Sequence, residues 1–159
     1  VPTRTGEVKQ ITHDQLTHAY PQWLPDESRI VFLRQEPDHS GRFYVQDLAG
    51  GQPRPMTPEG ASSYARLSPD GSLIAVAMGA DYRTVVYPVV VCPVNGGEGR
   101  PVCGLEPGDI PVVWSNDNHS LYCYHLGGSP VDIFRVELAS GRRTPWRQLV
   151  PPDPIGITG

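Results

Sequence analysis

The chain has 159 residues, a formal charge of −4 and 19% charged residues spread in both signs. That length holds one substantial core, and the charge balance lacks the basic stripe that nucleic-acid binding requires, so a nucleic-acid partner is not expected. No run of about 18 apolar residues and no charged-then-apolar leader occurs, so no membrane span is expected in this segment.

Eighteen Pro and seventeen Gly punctuate the chain into short extended runs and leave no convincing helix. In chain order, residues 1–14 end in Thr5-Gly6-Glu7-Val8-Lys9-Gln10-Ile11-Thr12, which reads as the outer strand of a preceding unit. The first full unit, 15–57, carries the apolar run Ile30-Val31-Phe32-Leu33, suited to a strand buried on both faces, and then Phe43–Leu48. Its short outer strand, Arg54–Thr57, holds prolines that suit an edge. The second unit, 58–103, repeats the order with Leu73–Met78 buried and Val85–Val94 extended. The third, 104–150, has Leu121–Tyr124 buried and Asp132–Leu138 alternating apolar with charged residues. Residues 151–159 read as a turn-rich lead into a further unit.

Each unit enters its buried strand through one device: Trp23-Leu24-Pro25-Asp26, Leu67-Ser68-Pro69-Asp70-Gly71 and Trp114-Ser115-Asn116-Asp117. Pro presets φ for a turn, Asp bonds nearby backbone amides, and Gly accepts positive φ, so each stretch reverses the chain. Asp26 to Asp70 is 44 residues and Asp70 to Asp117 is 47; the Gly turns give 46 from Gly51 to Gly97 and 44 from Gly97 to Gly141. Two landmarks agree on a period in the forties built from short strands, which points to an all-β chain of propeller blades: about three four-stranded antiparallel blades and a leading strand. A partial ring of this size leaves end blades with open faces, to be covered by missing blades or by a second copy.

These motifs, each followed by an apolar strand and later by an Asp-Leu-x-Gly-Gly or Glu-Leu-x-x-Gly turn, resemble the PD40 (WD40-like) repeats of TolB-type propellers from about Thr5 to Val150. Gly104–Trp114 and Trp146–Ile157 further resemble the last blades of propellers fused behind bacterial, notably acidobacterial, serine/threonine protein kinases. The first resemblance implies a protein or ligand bound at the channel rim, and the second a sensor or scaffold module. No Gly-rich phosphate loop, His-Arg-Asp or Asp-Phe-Gly of a kinase is present in the sequence itself.

The rim is expected at the loops His18-Ala19-Tyr20-Pro21, Ser62-Ser63-Tyr64 and Pro107-Gly108-Asp109-Ile110. His18, Tyr20, Ser63, Tyr64 and Asp109 are therefore the candidate partner-binding residues, with the two tyrosines as anchors because each joins apolar area to a hydroxyl. Trp23, Pro25, Asp26, Ser68, Pro69, Asp70, Gly71, Trp114, Ser115 and Asp117 form the structural repeat motif. The three Asp could converge on a cation, but their turn setting favours backbone capping, and Trp23 and Trp114 are expected to pack between blades. His13 and His18 are five apart, which disfavours a helical metal pair; His39, His119 and His125 are isolated, and no cofactor is implied. Ser62, Ser63 and Ser129 lack a G-x-S-x-G elbow, so no catalytic residue is assigned; an accessory propeller of an S9-type peptidase is the alternative. The three cysteines, Cys92, Cys103 and Cys123, are expected as buried small apolar residues, with a Cys92–Cys103 bridge open in an oxidising compartment.

Overall fold

The computed structural model describes residues 10–79, 88–127 and 130–150. Among them are twelve strands and no helix. The first sheet is β1 (Thr17–Trp23), β2 (Arg29–Gln35), β3 (Arg42–Asp47) and β4 (Arg54–Pro55). The second is β5 (Ala61–Leu67), β6 (Leu73–Met78), β7 (Val89–Pro93) and β8 (Arg100–Pro101). The third is β9 (Asp109–Trp114), β10 (Ser120–His125), β11 (Val131–Glu137) and β12 (Arg143–Leu149). In all three, strands adjacent in sequence pair antiparallel, so each sheet is a simple meander.

Three expectations fall wholly or partly outside the described residues, and the lead into a further unit expected over 151–159 lies outside them altogether. Thr5–Lys9 of the leading strand and Val85–Tyr87 of the long strand expected in the second unit are not described; Gln10–Thr12 pair with no strand, and β7 begins at Val89.

Register explains the packing. The cross-strand row Trp23, Ile30, Gln46 in the first sheet corresponds to Leu67, Ile74, Cys92 in the second and Trp114, Leu121, Val136 in the third. Side chains alternate between sheet faces at every residue. One position away, therefore, Gln22, Val31, Val45 match Arg66, Ala75, Val91 and Val113, Tyr122, Arg135 on the other face. One core cluster joins Val31 and Val45 of the first sheet to Ile74 and Cys92 of the second. The other joins Ala75 and Val91 of the second to Trp114, Leu121 and Val136 of the third. The second sheet thus turns its leading face to the first and its trailing face to the third, and the three sheets stack in series.

The turns into β2, β6 and β10 are built alike. Leu24, Ser68 and Ser115 donate their amides to Arg29, Leu73 and Ser120 carbonyls at 3.0, 2.9 and 2.9 Å. Asp26, Asp70 and Asp117 accept the amides of Ser28, Ser72 and His119 at 2.9, 3.0 and 3.0 Å. The residue after each Asp is left-handed: Glu27 at φ 55°, Gly71 at 70° and Asn118 at 60°. Only the middle one demands glycine on space as well, since a Cβ on Gly71 would lie 2.6 Å from Pro25 Cδ of the neighbouring sheet. The repeat is thus local hydrogen-bond chemistry executed three times, with one copy tightened by its neighbour.

Candidate functional site

Tyr20, Ser63 and Tyr64 meet in one recess of about 320 Å³ between the first and second sheets. Its floor includes Leu33 and Ala61, and His39 and Ser40 of the β2–β3 turn close one side. Two backbone bonds fix its frame: Ala61 N–H to Gly41 O at 2.9 Å ties the sheets together, and Gly79 N–H to Gly60 O at 2.6 Å ties β6 to the connection entering β5. His39 Nδ1 lies 3.1 Å and Arg42 3.7 Å from Glu59, so the turn of one sheet is pinned to the chain entering the next.

Tyr20 stands 54% exposed at the mouth with φ 52°. It sits in a β-bulge, where the register of β1 against β2 shifts between Ala19 and Gln22. A left-handed tyrosine costs about 1–2 kcal/mol, and a bulge re-aims the side chain that carries it. Here it turns a ring toward the recess that a regular strand would have sent to a sheet face.

The other candidates go elsewhere. His18 packs edge-on against Phe32 at 5.0 Å and lies 3.3 Å from Asp14, on the leading face of the first sheet. Asp109 is fully buried. It accepts the Glu106 amide at 2.7 Å, lies 3.0 Å from His125 Nδ1 and accepts Arg143 Nη1 at 3.1 Å. This corrects its expected place as a contact residue: a carboxylate with three internal partners fastens the entry to β9. Burying it requires that charge and those donors, and neither His125 nor Arg143 is signalled by anything local in the sequence.

A second correction concerns location. His18 and Tyr20 lie in β1, Ser63 and Tyr64 in β5, and Asp109 in β9, all first strands of their sheets rather than loops. The expectation that both tryptophans pack between sheets also divides. Trp114 is 3% exposed and donates its indole to Arg66 O at 2.8 Å, whereas Trp23 is 61% exposed. Cys92 and Cys123 are buried but Cys103 is exposed, and all three are free thiols. Burial pushes the Cys123 thiol up to about 12 and raises Cys92 as well, which keeps both unreactive.

The turn carboxylates act within their own turns. The Ser28 amide, followed by the Arg29 guanidinium, lowers Asp26 to about 2, and the hydroxyls of Ser68 and Ser115 chiefly lower Asp70 and Asp117. Among the described residues no group of three His, Cys, Asp or Glu is placed to hold a metal ion.

No family model matches the sequence, and no curated protein matches it either. Solved structures do. A putative TolB from Agrobacterium tumefaciens superposes with a TM-score of 0.65 at 22% identity, over 86% of this chain and 48% of that one. TolB from Acinetobacter baumannii gives 0.64 at 19% identity, over 87% and 34%. The β-propeller domain of the Trilobed protease from Pyrococcus furiosus gives 0.61 at 16% identity, over 83% and 43%. The fold is a partial, TolB-like β-propeller.

The chain spans less than half the length of each of these three. In propeller terms β1, β5 and β9 are the channel-side strands, and the connections into them share a rim with the β2–β3 turn. The Tyr20–Tyr64 recess opens on that rim. The Asp turns, at the far ends of the same strands, lie on the opposite one.

Proposed function

We propose that this partial propeller is a non-catalytic module that binds a protein or peptide segment at its channel rim, with the recess between the first two sheets as the seat. The observation that carries the reading is the convergence of Tyr20, Ser63 and Tyr64 on one rim recess, with Tyr20 held in a left-handed bulge. Backbone strain held by surrounding structure gathers at ligand clamps, and exposed tyrosines supply contact area at low entropic cost. The resemblance of Gly104–Trp114 and Trp146–Ile157 to kinase-fused propellers supports a sensor or scaffold role within a larger bacterial serine/threonine kinase.

A second reading, the accessory propeller of an S9-type peptidase, draws on the likeness to the propeller domain of a protease. The two readings part on the neighbouring coding sequence: kinase motifs upstream favour the first and a G-x-S-x-G elbow downstream favours the second.

Rim binding is tested with a library of short peptides displayed on phage and selected on the immobilised chain. Enriched peptides are expected to bind the wild type and to lose binding on Tyr20→Ala and on Tyr64→Ala, while keeping it on Trp146→Ala at the far side of the third sheet. Peptides indifferent to both tyrosines, or a selection that enriches nothing, contradict the reading.

A further inference from the structure

One position of the repeat changes character between the two sheet boundaries. At the first, Arg29, three residues after Asp26, sends Nη1 to Asn95 Oδ1 in the β7–β8 turn at 2.9 Å, while its Nε and Nη2 hold Asp26 at 2.8 and 2.6 Å. A side chain thus bridges the two sheets. At the second boundary the equivalents are Leu73, three residues after Asp70, and Ala139, two before Gly141 as Asn95 is two before Gly97. Neither side chain can hydrogen-bond, and the place stands open as a groove of about 630 Å³.

The groove has an apolar floor and a charged lip. Leu73, Val91, Val102 and Leu138 form the floor, and all four pack in the core shared by the second and third sheets. Glu98 and Arg100 line the lip, and both are exposed. Gly99 between them explains their direction: a Cβ there would lie 2.7 Å from both Cys92 Sγ and Val90 Cγ1, so the outer strand is pressed against β7 on that side. Side chains alternate along an extended chain, which turns Glu98 and Arg100 together toward the groove. Among the described residues neither is paired with an opposite charge. Two opposite charges that face one space without meeting call for an occupant that carries both.

We propose that this groove binds an apolar dipeptide with both termini free. Its carboxylate meets the Arg100 guanidinium, its ammonium meets the Glu98 carboxylate, and one side chain enters the apolar floor. The spacing selects the length: residues two apart on a strand stand about 6.6–6.8 Å apart, and an extended dipeptide spans at most about 7 Å. Charge complementarity at the lip sets the class, since a blocked peptide or a hydrocarbon would leave charges unmet. The seat lies on the side of the Asp turns, opposite the Tyr20–Tyr64 recess, and is independent of it.

The test titrates Leu-Leu into the isotopically labelled full chain and follows the amide NMR signals. Saturable shifts confined to 91–102 and 138–139 are expected at about millimolar peptide. N-acetyl-Leu-Leu and Leu-Leu amide, each lacking one charge, and Gly-Gly, lacking the side chain, are expected to bind at least about tenfold more weakly. Arg100→Gln and Glu98→Gln, both on exposed side chains, should each lose about tenfold, while exchanging the charges with Glu98→Arg and Arg100→Glu keeps binding by reversing the peptide. Leu73→Arg with Ala139→Asn rebuilds the bridge of the first boundary and is expected to remove binding. Ala139→Trp, which leaves Leu73 in the core, closes the same space if that pair unfolds the chain. Absence of saturable shifts overturns the proposal. So does equal binding of the blocked peptides, or a set of shifts centred on Tyr20 and Tyr64.

Discussion

The indole of Trp114 donates to Arg66 O at 2.8 Å across the boundary between the second and third sheets, and Arg66 Nε donates back to Val112 O at 2.7 Å. Position four before the turn Asp reaches forward and position three reaches back. The first boundary shows a weaker version, with the Gln22 side chain bridging the Ala65 carbonyl and the Leu67 amide at 3.4 Å each.

Truncating the two tryptophans separates packing from residue type. Trp114→Ala leaves a core void and an unmet carbonyl and is expected to cost about 3–5 kcal/mol in urea unfolding. Trp23→Ala, at the equivalent position, is expected to stay within about 0.5 kcal/mol because its ring is already in water. Equal losses would mean that the sheets are not stacked in this order.

Gly71 and Glu27 make a second matched pair. A Cβ at Gly71 meets the left-handed penalty and Pro25 Cδ at 2.6 Å, so Gly71→Ala is expected to cost about 2–4 kcal/mol. Glu27→Gly relieves the same backbone angle where nothing presses on it, and is expected to stabilise by less than about 1 kcal/mol. Thermal unfolding of the two variants side by side reads the difference in sign.

Asp109 is the buried charge on which the third sheet's entry depends. Asp109→Ala strands the Glu106 amide, takes the buried partner from the Arg143 guanidinium and is expected to cost about 3–5 kcal/mol. His125→Ala, which removes a half-exposed partner, is expected to cost less than about 1 kcal/mol. A mild Asp109→Ala phenotype with loss of peptide binding would return the residue to the list of contact residues.

Acid should weaken the fold in a defined window. Asp26 is lowered to about 2, and Asp70, Asp117 and Glu137 are lowered as well, by hydrogen bonds that their ionised forms accept. A folded value below the unfolded one, about 3.9 for Asp, means that the stabilisation is complete above the unfolded value and is lost as pH falls through the folded one. Urea midpoints are expected to hold from pH 7 to about 5 and to fall between about pH 4 and 2, and Asp70→Asn is expected to flatten that fall. An unchanged slope in Asp70→Asn would place the acid sensitivity elsewhere.

What was legible in the sequence was what short-range chemistry writes. The Pro-Asp-Gly turns and apolar runs fix twelve strands in three meanders because each signal and its consequence lie within a few residues of one another. The period and the TolB-type resemblance group Tyr20, Ser63 and Tyr64 together with His18 and Asp109, which the structure sends elsewhere, and neither signals the bulge that turns Tyr20, since it arises from a register slip against β2. The burial of Asp109 is not legible because two of its three partners, His125 and Arg143, are 16 and 34 residues away. Trp23 was misread because its motif matches that of Trp114, and burial depends on a neighbouring sheet that no local motif encodes.

The stacking of three sheets in series is read most directly by hydrogen exchange of the three indole N–H groups, followed by NMR on the uniformly labelled chain. The account predicts that Trp114 is strongly protected while Trp23 and Trp146 exchange rapidly. Three rapidly exchanging indoles, or a protected Trp23 beside an open Trp114, would contradict it.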